Sequence, residues 1–124
     1  TLPGNIKKNL KQVVNKTIKN KKLIINLAIN YGSKTEIMDA VKKIKKNKEA
    51  ISVKNIEKNL YTNLPNPDIL VRTGGKKRLS NFLLWQLAYS EFYFLDKLWP
   101  DFTKRDLIRI IKDYKKIKRN FGKI

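Results

Sequence analysis

The 124-residue sequence predicts an α/β fold, a partial and mainly parallel sheet flanked by helices. Two observations carry that expectation. Segments with apolar residues at helical spacing alternate with short apolar runs, in the order helix, strand, helix, helix, strand, helix, strand, helix. The clearest run, KLIINLAINYG (22–32), is apolar almost without a break, as a strand buried on both faces of a parallel sheet would be.

The elements follow in order. Pro3 suits the first turn of a helix whose apolar face is Ile6, Leu10, Val13, Val14 and Ile18. After the 22–32 run, Ser33 and Glu36 read as a capping box for a helix with Ile37, Ala40, Val41 and Ile44 on one face. SVKNIEKNLYTNL reads as a shorter helix, with Val53, Ile56 and Leu60 in register. Pro65 and Pro67 break the chain before DILVRT, a second strand-like run. FLLWQLAYSE (82–91) is apolar nearly all round and predicts a buried helix. FYFL predicts a third strand, and Thr103 with Asp106 predicts the cap of a last helix with Leu107, Ile110, Ile111, Tyr114 and Ile117 as its buried stripe. Three strands make a thin sheet with two open edges, which suggests one domain (1–124) that is part of a larger one.

Composition narrows the chemistry. The chain is 41% hydrophobic, enough for a core, and carries 29 basic against 10 acidic residues, a formal charge of +19. Such a field favours anionic partners. Lysine is nevertheless spread through every polar segment, which reads more simply as the composition of a solvated surface, so the charge is weak evidence for a partner. With neither cysteine nor histidine, disulfides, thiolate chemistry, histidine general bases and most zinc sites are excluded. No apolar run is long enough to span a bilayer. No signal-peptide pattern is visible, so the expectation is a cytoplasmic protein, in solution or at a membrane surface.

The most informative stretch is DILVRTGGKKRLSNFLLWQLAYSEFYFLDKLWPDF, residues 68–102. Ligands of open α/β sheets sit beyond the carboxyl ends of the strands, where Arg72-Thr73-Gly74-Gly75 would lie. Two glycines permit positive φ and could turn backbone N–H groups toward an anion. Arg72 and Arg78 offer planar forks that match phosphate oxygens, and Ser80 adds a hydroxyl near a helix start. Together these suit a diphosphate; a plain glycine turn with surface arginines accounts for the spacing as well. A Walker A loop is excluded, because Leu70 stands at its first glycine and Lys77 at its hydroxyl residue. Glu91, among Tyr89, Phe92 and Tyr93, reads either as half of an ion pair or as an oxygen ligand for magnesium.

The same stretch resembles the C-terminal motif of the cis-prenyltransferases, the undecaprenyl diphosphate synthase family. LAINYGSKTEI is similar to that family's Asn-Tyr-Gly-Gly-Arg segment, and KRNFGKI to its Arg-Arg-Phe-Gly ending. The resemblance implies the C-terminal half of the cis-prenyltransferase fold. It also implies condensation of isopentenyl diphosphate onto an allylic diphosphate, with Mg2+, to make a polyprenyl diphosphate of the undecaprenyl type used in cell-wall assembly. It assigns Arg72, Arg78, Leu79 and Ser80 to isopentenyl diphosphate and Glu91 to the metal. It assigns the Phe82–Phe94 region to a homodimer interface. The lipid product implies peripheral contact with a membrane.

The resemblance has gaps. The family's N-terminal half, with its catalytic aspartate, has no counterpart here, so no catalytic residue is expected in this chain and no turnover by it alone. Lys76 replaces a glutamate after Gly-Gly, Ser33 and Lys34 replace Gly-Arg, and Asn120 replaces an arginine before Phe-Gly. A rival expectation is a non-catalytic partner subunit or relic of such an enzyme. A basic nucleic-acid-binding module is a remote third, since the lysines are evenly spread and the aromatics lie in apolar segments; no nucleic-acid partner is expected.

Overall fold

A computed structural model describes residues 2–119. The chain divides into two units, the first ending at Tyr31 and the second beginning at Gly32.

In the first unit, helix α1 spans Gly4–Thr17, with Pro3 at its N-cap and the Lys7 amide donating to the Pro3 carbonyl at 3.1 Å. None of its residues is buried. The expected strand at 22–32 is not formed: among the described residues this run enters no ladder, and Leu23, Ile24, Ile25 and Leu27 are mostly exposed. Continuous apolar composition reports a tendency to be covered on two faces. A strand also requires a neighbour for its backbone groups, and no described segment provides one.

The second unit is built around two parallel strands, β1 (Ile69–Arg72) and β2 (Glu91–Phe94), in register from Ile69 opposite Glu91 to Arg72 opposite Phe94. Helix α2 (Ser33–Lys46) buries Ala40 and Ile44, part of the predicted face. Helix α3 (Val53–Asn59) packs on it, and its N-cap Ser52 accepts from the Asn55 amide at 3.2 Å. Leu60, just past its end, is buried.

Helix α4 (Lys104–Tyr114) starts with the predicted capping box. The Asp106 amide donates to Thr103 Oγ1 at 3.4 Å, and the Thr103 amide donates back to Asp106 Oδ2 at 2.8 Å. Of the expected stripe only Ile110 is buried; Leu107, Ile111 and Ile117 stay about two-fifths exposed.

The predicted buried helix over 82–91 is replaced by a chain of turns from Ser80 to Tyr89, followed by β2. The backbone supplies the reason. Leu83, inside the predicted span, has φ of 44°, and Ser80 and Asn81 just before it have 50° and 64°, a left-handed conformation that no α-helix contains. Only Gln86 and Leu87 of this stretch are buried.

Candidate functional site

At the carboxyl end of β1 the chain passes from Arg72 into a turn with positive φ at both glycines, 86° at Gly74 and 70° at Gly75. A side chain at either position would be strained. Their amides do not face outward as the sequence suggested. Gly74 N donates to the Lys97 carbonyl and Gly75 N to the Leu95 carbonyl, each at 2.9 Å. The loop after β2 thus consumes these donors, and Leu95 N donates to the Arg72 carbonyl at 2.8 Å. The turn is a backbone-stapled platform rather than an anion nest.

The Arg72 side chain ties together the residues that follow. Arg72 Nη1 donates to the Arg78 carbonyl and lies 3.3 Å from Ser80 Oγ. One guanidinium therefore closes the loop from residue 72 to residue 80. Arg78, Lys76 and Lys77 are exposed, and Leu79 is half-buried. Four of the nine residues from 72 to 80 are basic and none is acidic, so the loop presents concentrated positive charge. Asp96 lies beneath it, its Oδ1 3.4 Å from where a Cβ on Gly75 would sit.

Next to this loop, Asn81 caps α2, a role the sequence did not reveal. Its carbonyl accepts from Ser33 N at 2.8 Å and its Oδ1 from Lys34 N at 2.9 Å. The expected Ser33–Glu36 capping box is absent, because Gly32 is the N-cap residue and both side chains turn inward. Ser33 Oγ accepts from Leu84 N at 3.0 Å. Glu36, 1% exposed, accepts from Tyr61 N at 2.8 Å and from Gln86 Nε2 at 3.0 Å. Two residues expected at a helix end instead anchor the segment that carries the loop.

Glu91 is placed apart from the arginines. It opens β2 opposite Ile69, whereas Arg72 closes β1 opposite Phe94. Three residues of strand rise separate them, roughly 10 Å. Its amide donates to the Asp68 carbonyl at 2.9 Å, and Asp68 in turn binds Arg119 Nη1. That guanidinium also reaches Tyr114 Oη at 2.6 Å and the Tyr89 carbonyl at 2.7 Å. Arg119 so places Asp68 below its ordinary pKa. Among the described residues no three acidic side chains converge on a metal site. A single carboxylate still suits magnesium, which keeps several waters and commonly takes one or two carboxylates beside phosphate oxygens. Asn120 and the Phe-Gly after it lie outside the described residues. Among the described residues no helix is long and apolar enough to cross a membrane.

Comparison with known proteins adds the family. The model of the undecaprenyl diphosphate synthase family matches residues 1–122. An isoprenyl transferase of Fusobacterium nucleatum is 44% identical over 122 residues, 98% of this chain and 53% of that protein. A tritrans,polycis-undecaprenyl-diphosphate synthase (geranylgeranyl-diphosphate specific) of Methanocaldococcus jannaschii is 46% identical over 132 residues, 98% of this chain and 47% of that protein. By their names these relatives are transferases, and the chain spans about half of their length. Among solved structures, a probable undecaprenyl diphosphate synthase of Campylobacter jejuni superposes with a TM-score of 0.89 at 41% identity, covering 98% of this chain and 58% of that one. Lavandulyl diphosphate synthase of Lavandula x intermedia, in complex with dimethylallyl diphosphate, gives 0.90 at 35% identity over 98% and 56%. The α/β fold, the charged loop after β1 and the family match over nearly the whole sequence agree: this chain belongs to the undecaprenyl diphosphate synthase family of prenyltransferases.

Proposed function

We propose that this chain is the C-terminal part of a cis-prenyltransferase domain and holds isopentenyl diphosphate while an allylic diphosphate is extended. The observation that carries the reading is the bridge from the Arg72 guanidinium to the Arg78 carbonyl and the Ser80 hydroxyl, which closes a loop carrying four basic residues and no acidic one. Arg78 would take the diphosphate oxygens with its exposed fork, Arg72 would fix the loop and add charge beneath it, and Ser80 would donate its hydroxyl. Leu79 would supply the apolar contact between them. The role of these residues is to bind and orient the diphosphate, which places the alkene for attack.

Glu91 is proposed as a magnesium ligand, with the diphosphate oxygens and waters supplying the rest. Glu91 would hold such an ion, which would supply charge neutralisation to the diphosphate it binds. Glu91 lies at the other end of the strand pair from Arg72, a gap of roughly 10 Å that the diphosphate, the ion and its waters would have to span. The Phe82–Phe94 region is proposed as a homodimer interface. Phe82, Leu84, Tyr89 and Phe92 keep 37–61% of their surface exposed along that stretch, apolar area suited to an interface. The polyprenyl diphosphate product, a lipid carrier of the undecaprenyl type, would draw the protein into peripheral contact with a membrane.

The test is calorimetric titration with isopentenyl diphosphate in the presence of magnesium. A hydrogen bond to a charged group is worth about 1.5–3 kcal/mol, so Arg78→Ala should weaken binding about ten- to a hundredfold. Equal binding by both proteins overturns the site assignment. Incubation of this chain alone with isopentenyl diphosphate and dimethylallyl diphosphate should give no product.

A further inference from the structure

We propose that Lys97 is a positioning residue for the diphosphate loop, coupling that loop to the amino terminus of α4; the inference rests on the reading of the loop as a diphosphate site. Three backbone bonds staple the Arg72–Gly75 turn to the segment after β2, and the outermost runs from Gly74 N to the carbonyl of Lys97. The placement of Gly74 is thus tied to the placement of residue 97. Residue 97 is held in turn by its own side chain. Lys97 Nζ lies 3.0 Å from Asp106 Oδ1 and 2.9 Å from Oδ2. Asp106 is mostly buried and is fixed by the Thr103 amide at 2.8 Å and the Thr103 hydroxyl at 2.7 Å.

The continuous path is therefore Thr103, Asp106, Lys97, Gly74, Arg72, and from Arg72 to Arg78 and Ser80. Every link is a hydrogen bond or a chain connection, and the first two members form the capping box of α4. The ammonium is a point charge on a flexible stem, so its value here is in closing the gap between α4 and the loop. Lys97 itself need not touch the ligand. Arg109 Nη2, 3.8 Å from Asp106 Oδ1, keeps a cation beside that carboxylate when Lys97 is removed. Loss of the lysine should then free the loop while leaving α4 capped.

The experiment titrates the chain with isopentenyl diphosphate and magnesium, comparing wild type, Lys97→Met, Lys97→Arg and Arg78→Ala well below their melting temperatures. Lys97→Met should bind about tenfold more weakly, the size of a typical coupling between bonded neighbours. Lys97→Arg, which restores a cation to Asp106, should recover most of that loss. A merely structural lysine would lower the melting temperature and leave the low-temperature affinity unchanged, and that result overturns the inference. If Arg78→Ala weakens binding while Lys97→Met matches wild type, Lys97 alone is misassigned. If Arg78→Ala also matches wild type, or wild type does not bind, the diphosphate reading itself falls. Should Lys97→Met fail to fold, the Lys97→Met/Asp106→Asn pair removes both charges, and it must show the same weakening for the inference to stand.

Discussion

Arg72 and Ser80 sit eight residues apart in the chain and 3.3 Å apart in space, joined by Nη1 and Oγ, while the same Nη1 binds the Arg78 carbonyl. A guanidinium can serve two acceptors in this way because its donors are fixed in a plane. A lysine at the same position would offer a point charge on a flexible stem. Arg72→Lys should therefore keep the local charge but loosen the loop, with isopentenyl diphosphate binding about tenfold weaker. Ser80→Ala should cost less, since it removes one neutral partner. Parallel titrations rank the two, and a larger effect for Ser80→Ala would refute this account of the loop.

A buried pair offers a sharper test of stability. Glu36 accepts from Tyr61 N through Oε1 and from Gln86 Nε2 through Oε2. Glu36→Ala would take the acceptor from the buried Gln86 amide and from the partly buried Tyr61 N–H, and unfolding free energy should fall by about 1–3 kcal/mol. Glu36→Gln should be milder. Gln86 Oε1 is buried with no hydrogen-bond partner among the described residues, so rotating the Gln86 amide lets it accept from the new amide group. Chemical denaturation of both variants checks the order, and equal losses would rule out the rotation.

These residues also show what the sequence could and could not convey. The parallel strand pair, the capping box at Thr103 and the position of Arg72 at the end of β1 were legible, because each rests on local pattern and turn chemistry. The Ser33–Glu36 pattern matched a capping box in spacing yet serves the interior. Its partners Leu84, Gln86 and Tyr61 lie 25–51 residues away, and no local rule contains them. Apolar content predicts a helix over 82–91 and carries no sign of the left-handed backbone at Leu83 and at Ser80 and Asn81 before it. Lys97 was invisible for a similar reason, since one lysine among many gains meaning only when Asp106 is seen beside it.

Asn81 is the next residue whose role rests on tertiary placement. It caps α2 through both its carbonyl and its side chain. Asn81→Ala removes the Lys34 acceptor and should destabilise by about 1 kcal/mol, as loss of a helix cap does. Gly32→Ala should act at the same place by another route: a Cβ there would lie 2.7 Å from Asn81 Nδ2 and push the cap aside. The double variant should then lose less than the sum of the two single losses. Strict additivity in a thermal-melt cycle would show that the two residues act independently.

The final prediction concerns acid. Asp106 is held well below the usual carboxylate range, first by its bond to Lys97 and then by the Thr103 hydroxyl and amide. A carboxyl group depressed in the folded chain binds protons more readily once the chain unfolds. Its contribution to stability is therefore complete above its unfolded pKa, about 3.9, and drains away as pH falls below that value toward the folded one. Asp39 and Asp68 are depressed as well, by Tyr61 and Arg119 respectively, so their contributions follow the same sign. The difference between wild type and Asp106→Asn isolates one carboxyl from the others. Unfolding free energies measured from about pH 6 to about pH 2 should show wild type the more stable at the upper end, with the gap closing as Asp106 is protonated. A gap that stays constant over that range would mean that the Lys97–Asp106 bond does not depress the carboxyl, and the electrostatic part of the link from α4 to the loop would fall with it.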